Sequence, residues 1–156
     1  MTSRIRTLLA ERNMTLQPST PRGGSYTPVR ELGAAAYTAG QLPFIDGEMP
    51  WQGRVGAELT IVEAQRATVQ AFLNGLSALE SHFGTLDRVR NVLQLRGYVR
   101  SAAGFESQHI VLNPLSDLVG ELFEGQPRHV RTAMGVSDLP CGAPVELEIV
   151  VEVAHE

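Results

Sequence analysis

Apolar positions along this chain change their period several times, and each change marks an element. Near the start, Ile5, Leu8 and Leu9 fall on one side of a short helix that Thr2 or Ser3 can cap. Pro18, Pro21, Gly23 and Gly24 then predict a loop. Over residues 25–43, β-branched, aromatic and small residues are broken at Glu31-Leu32-Gly33, which predicts two strands joined by a turn. Asp46-Gly47 is a further turn signal. The period becomes helical after Thr60, where Thr60 and Glu63 form a capping box. Val69, Phe72, Leu73, Leu76, Leu79 and Phe83 follow at helical spacing. Gly84 supplies a left-handed stop. Residues 89–99 alternate through Val92, Leu93, Leu95 and Tyr98 and predict a strand. Residues 102–123 are helical in pattern, but Asn113-Pro114 reads as a fresh cap with proline at the first helical position, so a break is expected there. Two strands, over about 128–137 and 145–153, close the pattern.

The predicted order is β-β-α-β-α-β-β behind an N-terminal helix, an α+β chain. Two helices can cover only one face of such a sheet. In the last strand Val145, Leu147, Ile149, Val151 and Val153 alternate with Glu146, Glu148, Val150 and Glu152. The second face is therefore partly acidic and partly apolar. A sheet face that is neither fully polar nor covered usually meets a partner, so an oligomer is expected. Residues 1–24 read as a helix and loop, and 25–156 as a single domain, in keeping with a chain of 156 residues.

The net charge of −4 comes without a basic stripe, which argues against a nucleic-acid surface. No apolar run approaches bilayer length. The first residues lack the apolar region and cleavage site of a secretory leader, and Glu11 argues against a transit peptide. Cys141 stands alone and cannot form an internal disulfide, which fits a reducing cytoplasm. Neither metal-ligand spacing nor a phosphate-binding glycine loop is present.

Candidate chemistry concentrates in the last quarter. Arg131 and Glu146 lie on the two final strand-like runs, joined through Leu139-Pro140. An arginine can clamp a carboxylate through two parallel hydrogen bonds, and a nearby carboxylate can activate water. Each has a plainer reading: Arg131 as the end of a solvated basic run after Arg128 and His129, and Glu146 as part of a solvated acidic face with Glu148 and Glu152. Tyr26 could bind a ligand or simply close the sheet edge. His109 reads as a surface or capping residue as readily as a functional one, and Cys141 as a bystander.

Taken together, Gly40-Gln41-Leu42-Pro43, Glu63-Ala64-Gln65, Asn74, Gly84, Phe105, Arg131, Leu139-Pro140 and Val145-Glu146-Leu147-Glu148 resemble the RidA family, also called the YjgF family. The resemblance runs over about residues 26–153. The N-terminal helix, the LNPLSDL segment and RHVRTAMGV look more like a longer, less characterised branch, often labelled endoribonuclease-like or chorismate-mutase-like. The resemblance implies a chorismate-mutase-like fold, a homotrimer whose sheets form a central barrel, and clefts between neighbouring subunits. It also implies cofactor-free hydrolysis of 2-imino or enamine acids to 2-oxo acids and ammonia. Within it Arg131 matches the substrate-carboxylate arginine, Glu146 the water-activating glutamate, Tyr26 the cleft tyrosine, and Gly40 the glycine of the same cleft.

Two departures matter. Ala39 stands where active relatives commonly carry serine, and the helix asparagine of the family falls on His109, with Asn113 one turn later as a replacement or a cap. Ala133 stands where many relatives have cysteine. The leading expectation is an imine or enamine deaminase acting on a small carboxylate metabolite. The rival is a non-catalytic trimer that binds such a metabolite. Endoribonuclease activity sits poorly with the acidic charge balance, and chorismate mutase activity would rest on fold alone.

Overall fold

The computed structural model describes residues 3–19 and 24–154. A short helix α1 (Arg4–Ala10) opens it, its first turn held by the Ser3 hydroxyl, which accepts from the Arg6 amide at 3.2 Å. Thr2, the other candidate cap, and the loop expected at Pro21 and Gly23 lie outside the described residues. Strands β1 (Val29–Leu32) and β2 (Ala35–Thr38) form the first hairpin. Asp46-Gly47 makes the expected tight turn, both residues with positive φ and Ile45 facing Glu48.

Helix α2 (Ile61–Phe83) begins with both halves of the predicted capping box: the Thr60 hydroxyl accepts from the Glu63 amide, and the Glu63 carboxylate accepts from the Thr60 amide. It ends at Gly84, whose φ of 75° is the left-handed conformation that a Cβ disfavours. Ala64, Ala67, Ala71, Phe72, Leu76 and Leu79 form its fully buried stripe. Strand β3 (Val89–Arg100), helix α3 (Gln108–Leu122), strand β4 (Val130–Val136), a single 3-10 turn (Pro140–Gly142) and strand β5 (Val145–Val153) complete the chain.

The sheet order is β1-β2-β5-β3-β4. Only β3 and β4 are parallel, joined by the crossover through α3; the other pairs are antiparallel. The last strand thus inserts at the centre, between β2 and β3. That place suits its inward row Val145, Leu147, Ile149, Val151 and Val153, all buried beneath the helices. This is the expected α+β architecture, with α2 and α3 on one face.

One element departs from the sequence pattern. Asn113-Pro114 does not start a second helix: α3 is continuous and Pro114 lies inside it. A proline there cannot donate to the carbonyl four residues back, which is that of Ile110. The Gln65 side chain on α2 supplies the missing donor, its Nε2 reaching the Ile110 oxygen at 3.0 Å. Local chemistry argued for a break, and a neighbouring helix offsets part of its cost by supplying the lost hydrogen bond.

Candidate functional site

The register of the sheet decides where the candidate residues point. Tyr98 pairs with Glu146, so both project from the face away from the helices, as do Met134, Arg96 and Glu148. Arg131 pairs with Leu95, which is fully buried on the helix side, so Arg131 projects toward α3. Arg131 and Glu146 therefore stand on opposite faces of one sheet. Strand β3 separates them, roughly 10 Å across the sheet, and three residues of register add about 10 Å along it. Within a single chain they share no site.

The candidates form two groups. Glu146 lies against Gly40: a Cβ on Gly40 would come 2.8 Å from the carboxyl carbon, so a larger residue there would require the glutamate side chain to move. No described side chain donates a hydrogen bond to Glu146, whereas Glu148 beside it accepts from the Tyr98 hydroxyl at 3.0 Å. Burial, and then the charge of Glu148, pushes the Glu146 carboxyl above the ordinary glutamate range. A carboxylate made more basic in this way is better suited to taking a proton from water. Around the other side of the loop after β2 lies a cavity of about 130 Å³, lined among others by Tyr26, Ala39, Gly40, Gln17, Phe44 and Asn74. Asn74 braces that loop, donating to the carbonyls of Leu42 and Phe44. Gly40 thus lies both on the cavity lining and against Glu146, and Tyr26 stands exposed at the rim.

The second group surrounds Arg131 at the far edge. Its Nη1 donates to Asn113 Oδ1 and to Ser116 Oγ, each at 3.0 Å, and its Nη2 to the His109 carbonyl at 3.3 Å. Of the two helix candidates, Asn113 therefore brings its side chain to the arginine, while His109 brings its main-chain oxygen. An arginine carries five N–H donors, and Nε–H and one on Nη2 remain for a ligand. Fixing the guanidinium with three acceptors on one helix removes rotamer freedom before any ligand arrives.

Two members of this group were not singled out by sequence reasoning: Ser116, and His129, whose Nε2 lies 2.9 Å from the Ser116 oxygen. The spacing His129, Arg131 was a readable signal, since residues two apart on a strand share a face. Ser116 had no such signal, because α3 meets β4 only through the crossover. Cys141 is exposed in its turn, and no group of three or more metal-ligating side chains occurs among the described residues.

The comparisons with known proteins bear on this geometry. The family described as "YjgF/chorismate_mutase-like, putative endoribonuclease" matches residues 8–151. The chain belongs to this family. Among curated proteins, Protein TCP17 of Trypanosoma cruzi is 40% identical over 121 residues, covering 77% of this chain and 76% of that protein. Among solved structures, the protein Atu1372 from Agrobacterium tumefaciens superposes with a TM-score of 0.89 at 33% identity, over 97% of this chain and 93% of that one. RidA from an Antarctic Psychrobacter shares the fold at a TM-score of 0.60 and 23% identity, over 90% of this chain and 99% of that one. The YjgF fold is thus common ground among these proteins. No helix among the described residues is long and apolar enough to cross a membrane.

Proposed function

We propose that this YjgF-family chain hydrolyses reactive 2-imino or enamine acids to 2-oxo acids and ammonia, without a cofactor, in clefts between neighbouring copies of itself. The carrying observation is the division of the site. An arginine whose guanidinium is held by α3 and a glutamate whose pKa burial raises lie on opposite sheet faces, and in this reading a second copy supplies whichever half the first lacks.

The outer sheet face supports such an assembly. Tyr37, Val150, Gln94 and Val130 run in register across four strands. On this face Tyr37 is 45% exposed, Met134 42% and Val130 64%, apolar surface that a monomer would leave in water. The homotrimer implied by the family resemblance would cover it.

In the proposed reaction Arg131 grips the carboxylate of the imino acid, with Asn113 and the His109 carbonyl holding the guanidinium. Water deprotonated by Glu146 adds to the carbon of the C=N bond, and the nitrogen takes a proton. The resulting carbinolamine then loses ammonia as the C=O bond forms. Such imines also hydrolyse unaided, so orientation and charge placement are what the protein must add. Gly40 admits the glutamate, Tyr26 and Ala39 line the approach, and the missing hydroxyl at Ala39 removes one contact.

That missing contact favours the rival reading, a carboxylate-binding trimer without turnover. Both are tested by following the loss of freshly generated 2-iminopropanoate and of a bulkier imino acid. Acceleration over the spontaneous rate by the wild type, lost in both Arg131→Ala and Glu146→Gln, is the expected result. Binding of 2-oxobutanoate without acceleration would replace the enzyme by the binding protein. Neither binding nor turnover would end both readings.

A further inference from the structure

The hydrogen bonds around Ser116 form a chain that ends at Arg131. Arg131 Nη1 can only donate, so Ser116 Oγ accepts from it at 3.0 Å. The one hydroxyl proton of Ser116 is then available to His129 Nε2 at 2.9 Å. An imidazole that accepts at Nε2 is neutral and carries its proton on Nδ1. Burial, then the charges of Arg131 and Arg128, push the His129 pKa below the ordinary histidine range and so favour the neutral ring. Its Nδ1 is buried with no partner among the described residues. That nitrogen is unpaired in either tautomer, as a donor in one and an acceptor in the other.

We propose that Ser116 and His129 form a positioning relay for Arg131. His129 accepts the Ser116 proton, and this turns the Ser116 oxygen toward Nη1 and fixes the guanidinium edge that grips the substrate carboxylate. The inference rests on the reading of Arg131 as the carboxylate clamp. Neither residue touches the substrate. A purely structural tie between α3 and β4 would need no particular direction of donation, and any side chain that packed there would serve. The relay needs an acceptor at position 129 and a hydroxyl at position 116.

Four variants separate the two. Ser116→Ala and His129→Leu remove the hydroxyl and the acceptor; Ser116→Thr and His129→Gln keep them. Each is compared with the wild type and Arg131→Ala in calorimetric binding of 2-oxobutanoate and in imine hydrolysis. We expect the first pair to weaken binding and raise KM about tenfold, the size of one lost charge-assisted hydrogen bond. Their kcat should stay within about twofold, because the interaction acts on the grip and not on the reacting carbon. The second pair should behave like the wild type.

If Arg131→Ala abolishes binding while Ser116→Ala and His129→Leu bind normally, the relay is overturned and the clamp stands. If Arg131→Ala binds and turns over like the wild type, or the wild type does neither, clamp and relay fall together. Nitrogen-15 spectra of the wild-type histidines read the relay without any variant. A neutral His129 with its proton on Nδ1 at pH 7 is expected, and a proton on Nε2 would overturn the assignment.

Discussion

Glu146 sits half-buried beside Glu148, and both influences favour its protonated form. The folded chain therefore holds this proton to higher pH than the unfolded chain does. The group's contribution to stability is complete below the ordinary glutamate value and is lost as pH rises through the raised folded value. At neutral pH its ionisation works against the fold. Glu146→Gln should accordingly raise the melting temperature at pH 7, with the gain shrinking to nothing below about pH 4, under the ordinary glutamate value. Turnover should fall by about 10²–10⁴, the usual worth of a positioned base. Thermal melts at the two pH values and the imine assay check the two halves of this statement. A stabilised, inactive variant would mark Glu146 as a residue kept for chemistry at the expense of the fold. The sequence could name Glu146 only through its family spacing, because Glu148 and Glu152 share its alternation. Its close fit over Gly40 is what distinguishes it, and that contact joins residues more than a hundred positions apart.

Elements in this chain are mostly local statements, and α3 is the exception. Ile110, Pro114 and Gln65 form one unit in which a side chain of α2 completes the backbone of α3. Gln65→Ala should destabilise the wild-type chain by about 0.5–1.5 kcal/mol, since the bond lies where water can partly replace it. In a Pro114→Ala background the helix makes its own bond to Ile110, and the same substitution should then cost close to nothing. A double-mutant cycle read by urea unfolding measures that coupling; additive costs would show that Gln65 does not repair the proline. The same helix presents His109, Asn113 and Ser116 to Arg131. The integrity of the unit bears on the site as well as on the helix. The capping box at Thr60 and the stop at Gly84 were readable because every atom involved lies within a few residues. The proline repair was not, because its donor belongs to another element.

At the scale of the whole molecule, one chain holds Arg131 and Glu146 on opposite sheet faces and leaves Tyr37, Val130 and Met134 exposed on the outer one. Val130 and Met134 face outward on the edge strand, away from both helices and from the core. The double variant Val130→Asp, Met134→Glu should leave the fold of the chain intact by far-ultraviolet circular dichroism. It should also convert an oligomer to a monomer in sedimentation velocity, and abolish turnover with it. A monomeric wild type, or an active monomeric variant, would contradict the division of the site.

By itself the sequence determined the kind and order of the elements: helical and alternating periods, the caps, the tight turns and the inward row of the last strand. These depend on neighbours within a few residues, where side-chain spacing and backbone geometry are tied together. The resemblance to a family added which residues to watch. Tertiary structure alone decided that β5 enters between β2 and β3, that Arg131 and Glu146 face opposite ways, that Asn113 and not the His109 side chain meets the arginine, and that Ser116 and His129 stand behind it. Strand order and facing follow from which surfaces can be buried together. That is a property of the whole chain at once, and no window along it contains the answer.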